Sequence, residues 1–140
     1  MKYSTTPERS RIMAGIRRSN TAPEIELRRQ LEVIGLRPGR TKKQLPGSPD
    51  IIFPRERIAV FVDGCFWHGC RAHRSLPKTN RELWLAKIIG NRRRDRRVDR
   101  QLRAAGWRPV RVWEHDVGMD VGRAAFRIAS LVYDAGARAL

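Results

Sequence analysis

The sequence predicts an α/β domain in which a mixed central sheet is flanked by helices on both faces. Three observations carry this reading. Short apolar runs, Ile51-Ile52-Phe53, Ile58-Ala59-Val60-Phe61-Val62 and Pro109-Val110-Arg111-Val112-Trp113, have the length and β-branched content of strands. Segments with apolar residues at helical spacing stand before, between and after them. A length of 140 residues suffices for one core and not for two, so residues 1–140 are expected to form a single domain.

In chain order, Ile12, Met13 and Ile16 recur among Arg and Glu over residues 7–18 and suggest a short helix. Ser19-Asn20-Thr21 breaks it, and Thr21-Ala22-Pro23-Glu24 has the form of a capping box. Ile25, Leu27, Leu31 and Ile34 then continue as a second helix, ended by Gly35. Residues 37–44 are polar and basic and suit an edge strand, followed by turn chemistry in Leu45-Pro46-Gly47-Ser48-Pro49. The two apolar runs after it, separated by Pro54-Arg55-Glu56-Arg57, read as a buried hairpin. Residues 64–79 carry Gly, Pro, Cys and His and suit an irregular loop. Residues 80–105 give the longest helix: Leu83, Trp84, Lys87, Ile88 and Asn91 lie on neighbouring faces, Val98 and Leu102 extend them, and Gly106 stops it. The fourth strand spans 109–113 and a closing helix 121–133, so the expected order is α-α-β-β-β-α-β-α.

Thirty Lys and Arg stand against 14 Asp and Glu, a formal net charge of +16. Residues 71–111 hold 14 of those bases against Glu82, Asp95 and Asp99, which is +11 of the total. The run Arg92-Arg93-Arg94-Asp95-Arg96-Arg97 places Arg around most of a helix, an electrostatic footprint for a phosphate backbone. No run of about 18 apolar residues exists, which argues against a membrane span. Residues 1–10 lack the apolar stretch of a signal peptide, so a cytoplasmic, nucleoid-associated location is expected, with both cysteines as thiols or metal ligands.

Five side chains can act as soft or borderline metal ligands: Cys65, His68, Cys70, His73 and His115. Four of them fall within Cys65-Phe66-Trp67-His68-Gly69-Cys70-Arg71-Ala72-His73. A structural Zn²⁺ site needs four tetrahedral N/S ligands, which Cys65, Cys70 and His73 with the remote His115 can supply. The alternative is a pair of buried thiols with surface histidines. His68 is then left for acid–base chemistry near neutral pH, or replaces His73 on zinc. Asp50 opens one strand of the hairpin and Asp63 ends the other; carboxylates so placed suit Mg²⁺, which prefers hard oxygens and retains waters. Turn chemistry alone also explains Asp50, helix capping explains Glu24, and ion pairing explains Asp95. Phe66 and Trp67 suit either packing or insertion between base steps, whereas Trp84 and Trp113 favour packing.

Leu45-Pro46-Gly47-Ser48-Pro49-Asp50, the segment from Val60 through Asp63-Gly64-Cys65-Phe66-Trp67-His68-Gly69-Cys70, Asn91-Arg92-Arg93-Arg94-Asp95, and Gly106-Trp107 with Val112-Trp113-Glu114 together resemble the very-short-patch-repair (Vsr) endonucleases. The similarity runs in order from about Ser10 to Asp116. It implies a core like that of restriction endonucleases with a structural zinc loop, and a nick 5′ to the T of a T·G mismatch left by deamination of 5-methylcytosine. By position it makes Asp50 the main Mg²⁺ ligand beside the carbonyl of Val62, His68 the catalytic histidine, and Asp95 and Glu24 assisting groups. Phe66, Trp67 and Trp84 would wedge into the duplex, with Arg92, Arg93, Arg94, Arg96 and Arg97 on the backbone. Residues 1–20 would contact DNA and residues 117–140 form a C-terminal helix. The partners implied are mismatched double-stranded DNA, and functionally a cytosine-5 methyltransferase and a repair polymerase, with the enzyme itself a monomer.

This chain departs from the family pattern in having Val62-Asp63 where members have Thr-His, so a second catalytic histidine is absent and Asp63 becomes a candidate metal ligand. The loop after Trp-His is shorter and less His-rich, and the remote zinc ligand is His115 in place of Cys. A restriction or defence nicking enzyme with another target, and a non-catalytic DNA-binding module, are the competing readings.

Overall fold

The computed structural model describes residues 21–40, 45–64 and 79–138. Their elements are α1 (Ala22–Val33), β1 (Gly39–Arg40), β2 (Ile51–Phe53), β3 (Ile58–Asp63), α2 (Arg81–Ala104), β4 (Arg108–Trp113), α3 (Glu114–Met119) and α4 (Val121–Arg138). The helix expected over residues 7–18 lies outside the described residues, as do positions 41–44 of the expected edge strand.

The sheet runs β1-β2-β3-β4. Its first two pairings are antiparallel, with Gly39 opposite Ile52 and Ile51 opposite Val60; β3 and β4 are parallel, from Ile58 beside Arg108 to Asp63 beside Trp113. The predicted mixed sheet and hairpin are therefore present. The four-residue connection 54–57 carries its turn at Arg57, whose φ of 55° is left-handed, and Arg57 accepts from the Arg108 N–H at 2.8 Å. The parallel partner thus aligns from the turn onward. A crossover of this kind needs a long connection, and α2 lies within it.

Continuous apolar runs in β3 and its neighbours follow from burial on both faces. Ile58, Val60, Val110 and Val112 join Leu27 and Leu31 of α1, Val117 of α3, and Ala124, Ala125, Ile128 and Val132 of α4. Ala59 and Phe61 point the other way and meet Val98 and Leu102 of α2 with Leu45 and Trp107. Gly47 is fixed by that second layer: its φ is +74°, and an added Cβ would lie 2.5 Å from Val98 Cγ1.

Three local expectations need correction. The Thr21 side chain makes no cap hydrogen bond. Glu24 instead shares the core-facing row of Leu27 and Leu31 and is 4% exposed. With Pro23 in the first turn presetting φ, the helix starts without that side-chain cap. Ile25 and Ile34 are outside that row and exposed. Finally, α3 was not expected, because a six-residue helix with Val117 as its buried residue has no periodic apolar pattern to detect.

No helix among the described residues is long and apolar enough to cross a membrane.

Candidate active site

The site gathers at the C-terminal end of the parallel pair β3·β4, where the antiparallel β2 begins. Asp50 stands one residue before β2. Its N–H donates to the Val60 carbonyl at 2.9 Å, continuing the ladder, and its Oδ2 accepts the Val62 N–H at 2.8 Å. An extended residue directs its N–H and C=O to the same edge, so the Val62 carbonyl faces the Asp50 side of β3. Asp50 is also held from behind. Arg28 of α1 donates from Nη2 to the Asp50 carbonyl at 2.9 Å, and from Nη1 to the carbonyls of Pro38 and Gly39 at 3.3 Å each. One helical side chain thus ties β1 and the start of β2 together.

Asp63, the last residue of β3, projects to the α2 face with Phe61 and is 6% exposed. There it meets Arg111 of β4. Arg111 Nη1 donates to both Asp63 oxygens at 3.1 and 3.2 Å and lies 3.4 Å from Asp95 Oδ1. Nε and Nη2 reach Asp99 Oδ1 at 3.1 and 2.8 Å, and Nη2 also donates to the Asp95 carbonyl at 3.3 Å. The guanidinium carbon stacks 4.3 Å from the Phe61 ring centroid. Burial works against the Arg111 charge, but the Asp99 hydrogen bond and the fields of Asp63, Asp95 and Asp99 outweigh it and raise its pKa. Arg111 therefore stays cationic.

The structure places Asp50 and Asp63, singled out from the residues, and Val62 and Asp95, singled out by the resemblance, at this end of the molecule, together with Arg28 and Arg111, which sequence reasoning missed. The usable signal for Arg111 was Asp95 and Asp99, two acids four residues apart in an otherwise Arg-rich helix. Asp95, expected to pair with its neighbouring arginines, turns inward to Arg111.

Cys65, Phe66, Trp67, His68, Cys70 and His73 lie outside the described residues. His115 is described: it sits in α3, its Nε2 is 3.1 Å from Asp116 Oδ1, and its ring stacks on Trp113 at 6.4 Å between centroids. Among the described residues, no three His, Cys, Asp or Glu side chains form a group that can hold a metal ion.

Trp84, a wedge by resemblance and a packing residue by its place in the helix, is buried in the structure. It is 7% exposed, with the Lys87 ammonium 5.2 Å from its ring centroid. It shares the buried side of α2 with Ile88, Val98 and Leu102. On the outer face of the same helix Arg92, Arg93, Arg94, Arg96 and Arg97 are all exposed, and Leu85 and Ile89 continue that face towards the helix start. The basic surface read from the sequence is thus accessible, while Asp95 and Asp99 face inward.

The family model described as DNA mismatch endonuclease Vsr matches residues 1–74. The Type II nicking enzyme V.XorIIP of Xanthomonas oryzae pv. oryzae is 43% identical over 130 residues, covering 91% of this chain and 94% of that protein. The Type II nicking enzyme V.NaeI of Lentzea aerocolonigenes is 45% identical over 113 residues, covering 77% and 68%. The DNA mismatch endonuclease Vsr of Escherichia coli is 39% identical over 107 residues, covering 76% and 69%. The chain belongs to the Vsr family of DNA endonucleases.

Proposed function

We propose that this chain nicks one strand of duplex DNA 5′ to the T of a T·G mismatch arising from 5-methylcytosine deamination, initiating very short patch repair. The observation that carries the reading is the placement of Asp50, a half-buried carboxylate locked to the Val62 N–H at the sheet end, beside the edge that the Val62 carbonyl faces.

Few protein oxygens and room for water suit Mg²⁺, which dehydrates reluctantly. Asp50 and the Val62 carbonyl would hold that ion, with Asp63 as a further candidate. When bound, it would supply positive charge at the scissile phosphate and lower the pKa of a water. The chain's own groups then do the rest. His68 would hold or move a proton at its imidazole, and Asp95 and Glu24 would orient neighbouring groups. The exposed arginines of α2 would grip the phosphate backbone without reading sequence, and Phe66 and Trp67 would separate the weakly stacked mismatch step. A structural zinc on Cys65, Cys70, His73 and His115 would brace the loop that carries His68, Phe66 and Trp67.

A second reading has a specific observation behind it. Two of the relatives above are named Type II nicking enzymes and one a mismatch endonuclease. A nicking enzyme of the same core with a different DNA target is the alternative. Nicking of end-labelled duplexes carrying T·G or T·A in varied flanking sequence, with and without Mg²⁺, separates the two. Cleavage restricted to T·G supports the proposal, and equal cleavage of matched DNA removes it. A flanking-sequence preference among T·G duplexes would identify the methylation site served.

A further inference from the structure

We propose that Arg111 is a positioning residue for strand cleavage, one guanidinium that holds the carboxylates of Asp63 and Asp95 while tethering the DNA-facing helix α2 to the end of β3. The inference rests on the reading above that these carboxylates work beside the cut strand.

Arg111 is placed for this by the sheet. Alternation along β4 sends Val110 and Val112 into the α1·α4 core and Arg111 to the opposite face, under α2. There its donors are divided between the end of β3 and two turns of α2, adding polar ties to the strand pairing and to the packing of Phe61 on Val98. One nitrogen takes both oxygens of Asp63, which immediately precedes Gly64 and the segment containing His68. The Nε edge takes Asp99, and the same group reaches the side chain and carbonyl of Asp95, so two successive turns of α2 are fixed. The Phe61 ring closes one face of the guanidinium, and Arg127 of α4 donates to the Arg111 carbonyl at 3.2 Å. A planar fork with several fixed donors suits this; a lysine supplies one point charge and cannot span the three acids.

The outer surface of α2 carries the exposed arginines and the inner surface carries Asp95 and Asp99. A backbone that draws on α2 therefore acts through Arg111 on Asp63. Displacing a reacting group by about 1 Å can cost 10²-fold in rate, whereas phosphate contacts on the far side of the helix remain as they were.

The test compares the full chain with Arg111→Gln, Arg111→Lys and Asp99→Asn. Single-turnover nicking is measured on whichever duplex the wild type cuts, and DNA affinity is measured by fluorescence anisotropy without Mg²⁺. Arg111→Gln should lower the nicking rate by about 10²-fold and change the dissociation constant by less than about threefold. Arg111→Lys should recover about tenfold of that loss, and Asp99→Asn, which loosens only the helix tether, should fall between. In an Asp95→Asn background, Arg111→Gln should cost much less than it does alone, because both act through one group. Circular dichroism and thermal unfolding identify a variant that has not folded; Asp99→Asn and Arg111→Lys then carry the comparison. Near wild-type nicking by folded Arg111→Gln overturns the proposal, as does loss of rate matched by loss of affinity, or full additivity with Asp95→Asn. A wild type that cuts only matched DNA removes the mismatch reading and leaves the Arg111 comparison intact.

Discussion

Asp50 is fixed through both its backbone and its side chain, which lets its chemistry be tested apart from its structural role. Asparagine retains one acceptor oxygen, so the contact with the Val62 N–H survives in Asp50→Asn while the negative charge is lost. The expected outcome is a fall in nicking of at least about 10²-fold with DNA affinity unchanged or tighter, since a charge near phosphate has gone. A variant nicking at near wild-type rate would remove Asp50 from the metal site. The position of Asp50 was readable because a Pro-Asp after turn residues and before Ile51-Ile52-Phe53 has few placements. Arg111 was not readable. In Pro109-Val110-Arg111-Val112-Trp113 the alternation puts it opposite the valines, a pattern identical to that of a solvent-facing arginine. Only the path of α2 across that face turns it into the partner of three aspartates. Arg28 escaped for a similar reason: its acceptors are backbone carbonyls, which no sequence pattern displays.

At the scale of elements, α2 has a packed side and an exposed basic side. Its packing side meets the turn at Gly47, where backbone conformation and contact distance agree. Gly47→Ala combines a φ of +74° with a Cβ 2.5 Å from Val98 Cγ1 and 3.3 Å from Phe61 Cε1. It should cost about 1–3 kcal/mol in urea unfolding, with an unchanged m-value. Its outer side is predicted to supply sequence-independent affinity. Arg92 and Arg96 lie four residues apart and are exposed, so replacing both by Gln should reduce the slope of log K against log salt by up to about 2. The ratio of nicking on T·G to T·A should change little, because phosphate contacts position and do not specify. A lost ratio with an unchanged slope would mean that this row reads bases. The helix itself was legible from Trp84, Ile88, Val98 and Leu102, all of them buried. The turn β2–β3 was legible too, since two apolar runs flank Pro54-Arg55-Glu56-Arg57. The short α3 had no such signal, and Trp84, readable as a wedge by resemblance, belongs to the packed side.

The whole molecule brings distant segments together through one topological fact, the parallel register of β3 and β4. Asp63 is paired with Trp113, so both strands leave the sheet at the same level. Cys65 follows Asp63 by two residues and His115 follows Trp113 by two, and two residues span at most about 7 Å of chain. That covalent reach is compatible with the proposed zinc site, in which His115 would be the remote ligand beside Cys65, Cys70 and His73. Sequence spacing nominates the set but does not show that Asp63 and Trp113 are register partners. The competing account gives His115 a structural role where β4 passes into α3, beside Asp116 and stacked on Trp113. His115→Ala separates them. As a zinc ligand, its loss should reduce metal in protein purified without added zinc from about one per chain to a small fraction, by analogy with four-ligand structural sites. The melting temperature should then fall by at least about 5 °C, and adding a chelator should lower it little further, because metal binding and folding are linked. Cys70→Ser should reproduce both effects. Full zinc content in His115→Ala, with a small fall in melting temperature, would leave His115 a structural role that includes its contacts with Asp116 and Trp113. The fourth ligand would then have to come from within residues 65–73, where His68 is the remaining histidine.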